Sequence, residues 1–294
     1  RYLHPTMGRT KRRRDGGLRR PAVVKAAAST GGSFPKKTKK KKTKKPLSPS
    51  SAPVSEAASP PLRTTSSKKK TKSLSEALHE KLHGARFRSL NEELYTRTGD
   101  ANFAAFSADA SLAEAYHRGF RAQAAKWPAH PLDAIIADLR RDTKRCLVVA
   151  DMGCGDARLA EELRDAHDVR SFDLTATAPG VVACNIARTP LATASVDVAV
   201  YCLALMGPSQ WDFLREAHRV LRKGGRLKIA EVASRFAVRP GSTGSEACLE
   251  GFDAFERGVT ALGFDRRSRD TTSCGPMFVA FDFVKATSRA PDDD

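Results

Sequence analysis

The 294-residue chain carries 51 Lys and Arg residues against 33 Asp and Glu residues, for a formal net charge of +18. The six cysteines form no CxxC pair, and the longest uninterrupted apolar run, 198–206, is too short to span a bilayer. These features argue against a disulfide-stapled secreted domain and against a membrane protein. They favour a protein of a reducing, intracellular compartment.

The positive charge is concentrated at one end of the chain. Residues 1–75 contain 22 Lys and Arg residues but only two acids, Asp15 and Glu56, which leaves residues 76–294 with a net charge near −2. Because residues 1–75 also have little apolar surface to offset the entropy of ordering, we predict a disordered basic tail. Basic runs of this kind are typical of nuclear and nucleolar import signals and suit nucleic-acid phosphates. A solubilising tail without a specific role is the alternative.

Helical spacing of apolar residues begins after this tail. We predict a helix from Ser75 that Gly84 ends, followed by helices over about 87–97, 109–125 and 131–141. Together they make a helical N-terminal subdomain at 76–142.

The pattern changes to short apolar runs that alternate with helices. We predict helices over about 156–166, 209–222 and 246–261, and strands over 146–150, 169–174, 181–184, 196–203, 227–232, 264–270 and 277–284. The last two strands follow each other closely and are expected to pair antiparallel. Strands alternating with helices predict an α/β domain with a doubly wound parallel sheet at 143–294.

The segment 148–156, VVADMGCGD, carries the strongest functional signal. A strand leads through Gly153-x-Gly155 into a helix, which lets the backbone approach a ligand at the carboxyl edge of the sheet. A dinucleotide fingerprint needs a third small residue three positions after Gly155, where this chain has Arg158. Asp151 instead makes an acid-x-Gly-x-Gly pattern, which resembles motif I of class I S-adenosylmethionine (SAM)-dependent methyltransferases. Their cofactor has no phosphates and carries a cationic sulfonium and an ammonium group.

Two further features agree with this interpretation. Asp173 lies 20 residues after Gly153 at the end of the second predicted strand, where a carboxylate can accept both hydroxyls of a ribose. A Lys223-Gly224-Gly225 turn precedes the fifth strand.

Longer segments resemble one family, the nucleomethylin or ribosomal RNA-processing protein 8 methyltransferases. The segments that carry the resemblance span residues 76–285 and include GARFRSLNEELY (84–95), VADMGCGD (149–156), SVDVAVYCLALMG (195–207) and EVASRF (231–236). The resemblance implies a Rossmann-like class I methyltransferase sheet that uses SAM without a metal. It also implies N1-methylation of an adenine in large-subunit ribosomal RNA during ribosome biogenesis, with a nuclear, nucleolar location.

The same resemblance implies cofactor contacts and partners. The matching cofactor positions are His117, Gly153, Asp173, Asn185, Ile186 and Cys202, of which the spacing argument independently supports only Gly153 and Asp173. The implied partners are ribosomal RNA and the pre-ribosome, with chromatin as a further partner. We expect a monomer that does not engage membranes.

Asn185 departs from the family, which usually has Asp at this position. The amide oxygen of Asn185 can still accept a hydrogen bond from the cofactor's adenine amine, but without the charge assistance of a carboxylate. On this reasoning, Asn185→Asp is expected to tighten SAM binding. If the amide NH2 instead donates to the ring N1 of the adenine, the acid is expected to weaken binding, because two lone pairs would then face each other. The departure also keeps open a second hypothesis, a SAM-binding nucleolar or chromatin scaffold or silencing factor with little turnover.

Other residues have structural alternatives. His79-Glu-Lys-Leu-His83 matches the HExxH zinc pattern, but it precedes Gly84 and has no third ligand nearby, so we interpret it as a chance match. The resemblance implies that Cys202 packs passively beside the cofactor, with ordinary core packing in a parallel strand as the alternative; no base is suggested near it that would make it a nucleophile. Arg235-Phe236 and Trp127-Pro128 are candidates for contact with the target nucleotide, with core packing of Trp127 at least as plausible.

Overall fold

The computed structural model describes residues 74–237 and 245–287. The predicted disordered tail, apart from its last two residues, lies outside this described part. Four helices come first: α1 (Leu74–Thr96), α2 (Gly99–Ala108), α3 (Ala110–Ala124) and α4 (Pro131–Arg140).

Strands and helices then alternate along the chain. They are β1 (Val148–Met152), α5 (Arg158–Leu163), β2 (Asp168–Asp173), β3 (Val181–Ala183), β4 (Val196–Cys202), α6 (Gln210–Val220), β5 (Leu221–Val232), a 3-10 turn (Ala233–Phe236), α7 (Ser245–Ala261), β6 (Phe264–Asp270) and β7 (Phe278–Lys285).

The seven strands form one sheet in the order β3-β2-β1-β4-β5-β7-β6. β1 to β5 are parallel, and β7 runs antiparallel to both β5 and β6. The prediction of a doubly wound α/β sheet is therefore confirmed, as is the antiparallel pairing of the last two strands. The strand order reverses between β1 and β4, and ligands of such sheets bind at the carboxyl ends of the strands beside this reversal.

Helices cover both faces of the sheet, which explains why its central strands read as unbroken apolar runs. In β4, Val198 and Val200 pack with α4 and α5 on one face. Ala199 and Tyr201 pack with α6 and α7 on the other face. All but the last residue of β4 are buried. No helix in the described part of the chain is long and apolar enough to cross a membrane.

The prediction that Gly84 ends the first helix is wrong. α1 continues through Gly84 to Thr96 and absorbs the separate helix predicted over 87–97. A helical Gly costs only about 1 kcal/mol relative to Ala, and α1 offsets this cost by packing mainly against α3.

Helix α2 was not predicted from the sequence. Its residues, GDANFAAFSA, include Gly, Asp, Asn and Ser, which are poor helix formers. The signal that could have revealed it is the cap, because the Thr98 side chain accepts a hydrogen bond from the N–H of Ala101. The proposed boundary between a helical subdomain at 76–142 and the sheet domain at 143–294 stays a prediction.

We expect opposite effects from alanine at two helical glycines. Gly84→Ala adds a Cβ whose nearest neighbour is the flexible end of Arg88 at 3.5 Å, so the free energy of unfolding should rise by about 0.5–1 kcal/mol. Gly119→Ala in α3 puts a Cβ 2.4 Å from the Cβ of Phe87 on α1, so it should lower that energy by about 1–3 kcal/mol. Urea unfolding of both variants tests the pair; equal signs would contradict the α1–α3 packing.

Candidate functional site

A cavity of about 330 Å³ lies at the carboxyl ends of the central strands, beneath α2 and α3. All six residues singled out from the sequence line this cavity: His117, Gly153, Asp173, Asn185, Ile186 and Cys202. They come from five separate parts of the fold, with Asn185 and Ile186 adjacent after β3, so it is the tertiary structure that brings them together.

The turn after β1 forms one wall of the cavity. Gly153 and Gly155 both have positive φ, at 79° and 56°, which glycine adopts without strain. A Cβ at Gly153 would lie 2.6 Å from the Cβ of Ala204, so a larger residue would clash with the loop after β4. The N–H groups of Gly153 and Cys154 both donate to the carbonyl of Phe172 in β2, at 2.8 and 3.0 Å.

Asp173 joins this turn to the end of β2. One carboxylate oxygen accepts from the N–H of Gly155 at 2.8 Å, and the other accepts from the N–H of Leu174 at 2.7 Å. His117 of α3 reaches the same carboxylate, with its Nε2 atom 3.9 Å from Oδ1. Burial raises the pKa of Asp173, while His117 and the backbone hydrogen bonds act in the opposite direction.

Asp151 places a second buried carboxylate in the same wall. Asp151 as a whole residue is 3% exposed. Burial, followed by repulsion from Asp173, raises the pKa of Asp151 to about 7. Two carboxylates withdrawn from water in this way favour a ligand with positive charge and disfavour a phosphate.

Asn185 and Ile186 line the cavity where the chain leaves β3. The Asn185 amide is held inside the chain, because its Nδ2 donates to Asp100 of α2 at 2.8 Å and its Oδ1 accepts from the N–H of Ala187 at 3.0 Å. Asn185 thus serves as a contact between the sheet domain and α2, a role that the sequence did not reveal.

The thiols of the cavity are not activated. Burial, followed by repulsion from Asp151, raises the pKa of both Cys202 and Cys154 above the usual thiol range. A thiol that stays protonated is a poor nucleophile, which agrees with the expectation that Cys202 packs passively.

Sequence reasoning missed the aromatic wall that α2 and α3 supply. Phe106, Tyr116 and Phe120 line the cavity, with the Tyr116 ring centroid 6.4 Å from each of the other two. The Tyr116 hydroxyl donates to the sulfur of Met206 at 3.7 Å, which ties α3 to the loop after β4. Tyr116 and Phe120 lie four residues apart on α3, but this spacing does not indicate which ring faces the sheet.

The loop 203–209 after β4 is fixed from below by Glu231, which has no exposed surface. One Glu231 oxygen accepts from the N–H of Leu205 at 2.9 Å, and the other lies 3.2 Å from Nη1 of Arg235. Arg235 also donates to the side chain of Gln210, the first residue of α6. The buried pair therefore positions a loop that lines the cavity through Leu203, Ala204 and Met206.

The remaining candidates have structural partners. Phe236 is buried among Phe252, Phe255 and Phe281. Trp127 packs against Phe278 with ring centroids 5.0 Å apart. These contacts favour core packing over contact with a target nucleotide.

The HExxH segment lies on the exposed part of α1. The Nδ1 atom of His79 lies 2.9 Å from the carbonyl oxygen of Ser75, within hydrogen-bonding distance. Within residues 74–237 and 245–287, no group of three or more His, Cys, Asp or Glu side chains is arranged to hold a metal ion.

Comparison with known proteins extends the likeness over most of the chain. A model of the family described as "Hypothetical methyltransferase" matches residues 73–294. "Ribosomal RNA-processing protein 8" of Dictyostelium discoideum is 48% identical over 216 residues, covering 74% of this chain and 51% of that protein. The protein of the same name from Rattus norvegicus is 46% identical over 213 residues, covering 72% and 43%. The "25S rRNA (adenine(645)-N(1))-methyltransferase" of Schizosaccharomyces pombe is 39% identical over 225 residues, covering 74% and 67%. The chain thus spans about half the length of the first two relatives.

We expect Glu231→Gln to destabilise the protein strongly. Glutamine can still accept from the N–H of Leu205, but it leaves the guanidinium of Arg235, which is 15% exposed, without its counter-charge. Urea unfolding should show a loss of about 3 kcal/mol. Removing both charges in Glu231→Gln/Arg235→Gln should lower the free energy of unfolding less than Glu231→Gln alone. If the loss in the double variant equals the sum of the losses in the two single variants, the pairing is contradicted.

Proposed function

The chain belongs to the family described as hypothetical methyltransferase, and from this membership we propose that it transfers a methyl group from SAM to N1 of an adenine in large-subunit ribosomal RNA. The observation that carries the proposal is the glycine turn flanked by Asp151 and Asp173 at the carboxyl edge of a doubly wound sheet. The printed name of the relative from S. pombe supports the choice of acceptor.

The side chains of the cavity fit this cofactor. The Gly153–Gly155 turn leaves space where a Cβ would collide with Ala204, so a ligand can approach the backbone closely. We assign Asp173 to the ribose hydroxyls, Asn185 and Ile186 to the adenine end, and Cys202 to passive packing. His117, beside Asp173, would cover the bound cofactor from α3.

The charge of the cavity distinguishes SAM from a nicotinamide dinucleotide. A pyrophosphate at the turn would approach the buried carboxylates of Asp151 and Asp173, and repulsion would oppose it. Arg158, the one basic residue close to the turn in sequence, is engaged by Asp133 of α4. These features disfavour a nicotinamide-dependent dehydrogenase, the activity that a dinucleotide fingerprint would have indicated.

The proposed reaction needs positioning more than acid–base chemistry. When bound, SAM supplies an electrophilic methyl group on a cationic sulfur. Neutral adenine N1 already has a lone pair, so the protein needs no strong base to generate the nucleophile. Holding the two reactants in line can supply roughly 7–11 kcal/mol. The aromatic wall of Phe106, Tyr116 and Phe120 would exclude water from the cavity. Because N1 lies on the Watson–Crick edge, the acceptor base must be unpaired or flipped.

The charge distribution supports a division of labour along the chain. Residues 1–75 hold nearly all of the excess positive charge, whereas residues 76–294 are close to neutral. We therefore assign RNA phosphate binding and nucleolar targeting to the basic tail, with the helical subdomain (76–142) and the sheet domain (143–294) forming the catalytic unit. Ribosomal RNA within the pre-ribosome is the proposed partner. The scaffold hypothesis rested on Asn185 as a defect in the cofactor site. The Asn185 side chain is hydrogen-bonded at both ends of its amide and lines the cavity, so its presence does not argue against a working site.

The proposed function is tested by methylation of large-subunit ribosomal RNA from cells that lack the protein. The purified chain and SAM should restore N1-methyladenosine, mapped by the arrest of reverse transcription. Asp173→Ala should abolish the signal and weaken SAM binding roughly 10- to 150-fold, as expected for lost hydrogen bonds to a charged group. Asp168→Ala is the matched control, since Asp168 begins the same strand and its exposed side chain pairs with the neighbouring Arg170. Absence of N1-methyladenosine with the intact chain would refute the assignment.

The raised pKa of Asp151 predicts that SAM binding depends on pH. The cationic sulfonium should favour the ionised carboxylate, and binding should therefore release a proton when Asp151 is protonated. Since burial raises the pKa of Asp151 to about 7, affinity for SAM should increase from about pH 6 to about pH 8 and then level off. Calorimetry should show a smaller increase for S-adenosylhomocysteine, which lacks the sulfonium. Asp151→Asn should flatten the SAM profile; an unchanged slope would assign the proton to another group.

A further inference from the structure

The start of α2 is fastened beside the cavity, where Asn185 lines it, by the side chains of Asn185, Arg188 and Ser209. Asp100, the second residue of α2, accepts from Nδ2 of Asn185 at 2.8 Å. The same carboxylate oxygen of Asp100 also accepts from the guanidinium of Arg188. The backbone N–H of Gly99 donates to the hydroxyl of Ser209 at 3.0 Å, in a buried contact.

The backbone of α2 lies directly against the Asn185 amide. A Cβ at Gly99 would be 2.9 Å from Oδ1 of Asn185 and 3.0 Å from the ring of Phe213, so only glycine allows this approach. Since Nδ2 of Asn185 donates to Asp100 and Oδ1 accepts from the N–H of Ala187, the orientation of the amide is determined at both ends.

This contact separates the cavity from the surface. Asn185 lines the cavity on one side and an open surface cleft of about 650 Å³ on the other, where Asp100 and Arg188 also lie. Asp100 is 63% exposed at its side chain and Arg188 is 70% exposed. The contact therefore forms the outer wall of the cavity at the end assigned to the cofactor's adenine.

We propose that Asp100 is a positioning residue of the cofactor site: it orients Asn185 and, with Arg188, holds α2 closed over the adenine end. This inference rests on the proposed function for the identity of the ligand. Asp100 reaches that ligand only through Asn185 and through the placement of α2.

The proposal also explains why this chain carries an amide at position 185. A carboxylate there would face the carboxylate of Asp100 at hydrogen-bonding distance, with one cation, Arg188, to serve both. An amide instead donates to Asp100, so the pair needs one acid and one amide. From the sequence alone, an Asn185 that accepts from the adenine amine predicts tighter cofactor binding by Asn185→Asp, and the position of Asp100 reverses this expectation.

The test compares three variants of the full chain by calorimetric titration of S-adenosylhomocysteine. Asn185→Asp should weaken binding by about tenfold because two carboxylates then face each other. Asp100→Ala should weaken it by about fivefold because the amide and α2 are released. The exchanged pair, Asp100→Asn/Asn185→Asp, restores one acid and one amide and should bind within about threefold of the wild type.

Two further measurements separate positioning from general stability. Asp212→Ala is the matched control, because Asp212 is an exposed acid of the same cleft that pairs with Arg215. This variant should bind S-adenosylhomocysteine like the wild type. In the unliganded protein, Asp100→Ala should speed hydrogen exchange in α2, with little change in melting temperature.

The outcomes distinguish this inference from the proposed function. If Asn185→Asp binds more tightly, or if the exchanged pair binds no better than Asn185→Asp, the positioning role is refuted. If the wild type fails to bind S-adenosylhomocysteine, the proposed function fails. Hydrogen exchange in α2 then still tests whether Asp100 holds this helix in place. Unchanged exchange in Asp100→Ala would then overturn the fastening of α2.

Discussion

The cavity depends on the hydrogen bond between the N–H of Gly155 and the carboxylate of Asp173. This bond ties the turn after β1 to the end of β2, two strands that are neighbours in the sheet but separated by a helix in the chain. The left-handed backbone of the turn aims its N–H groups at β2. A ligand that uses Asp173 therefore lies beside the turn whatever else contacts it.

The same arrangement buries two carboxylates close to each other, which is electrostatically costly when both are ionised. Asp151 and Asp173 are both withdrawn from water, and burial raises the pKa of each. Backbone N–H groups and His117 offset part of this cost at Asp173. The cost that is not offset favours binding of a cationic ligand, since nearby positive charge stabilises the ionised carboxylates. SAM, the cofactor of the methyltransferase family to which the chain belongs, is such a cationic ligand.

The helices before the sheet complete the site from above. α3 contributes His117 and two rings of the aromatic wall, and α2 contributes Phe106 and the contact with Asn185. Buried interactions from below, centred on Glu231 and Arg235, hold the opposite loop. The cavity is thus bounded by elements distant in sequence, so its shape depends on how the N-terminal helices pack on the sheet.

The sequence by itself determined the sheet domain and its ligand-binding turn. Alternating apolar runs and helices predicted the fold, because strands buried on both faces must be continuously apolar. The spacing of Asp151, Gly153 and Asp173 indicated the turn, since neighbouring parallel strands end at the same edge.

Only the tertiary structure decided how the site is closed. α2 escaped prediction because four of its ten residues, Gly99, Asp100, Asn102 and Ser107, are weak helix formers, and the helix is stabilised by a cap and by packing. Gly84 was misread as a helix end because local propensity carries no information about the packing of α1 on α3. The partner of Asn185 also depended on the fold, because Asp100 lies 85 residues earlier and reaches Asn185 only when α2 docks on the sheet. Contacts over such separations are set by packing geometry rather than by local residue pattern.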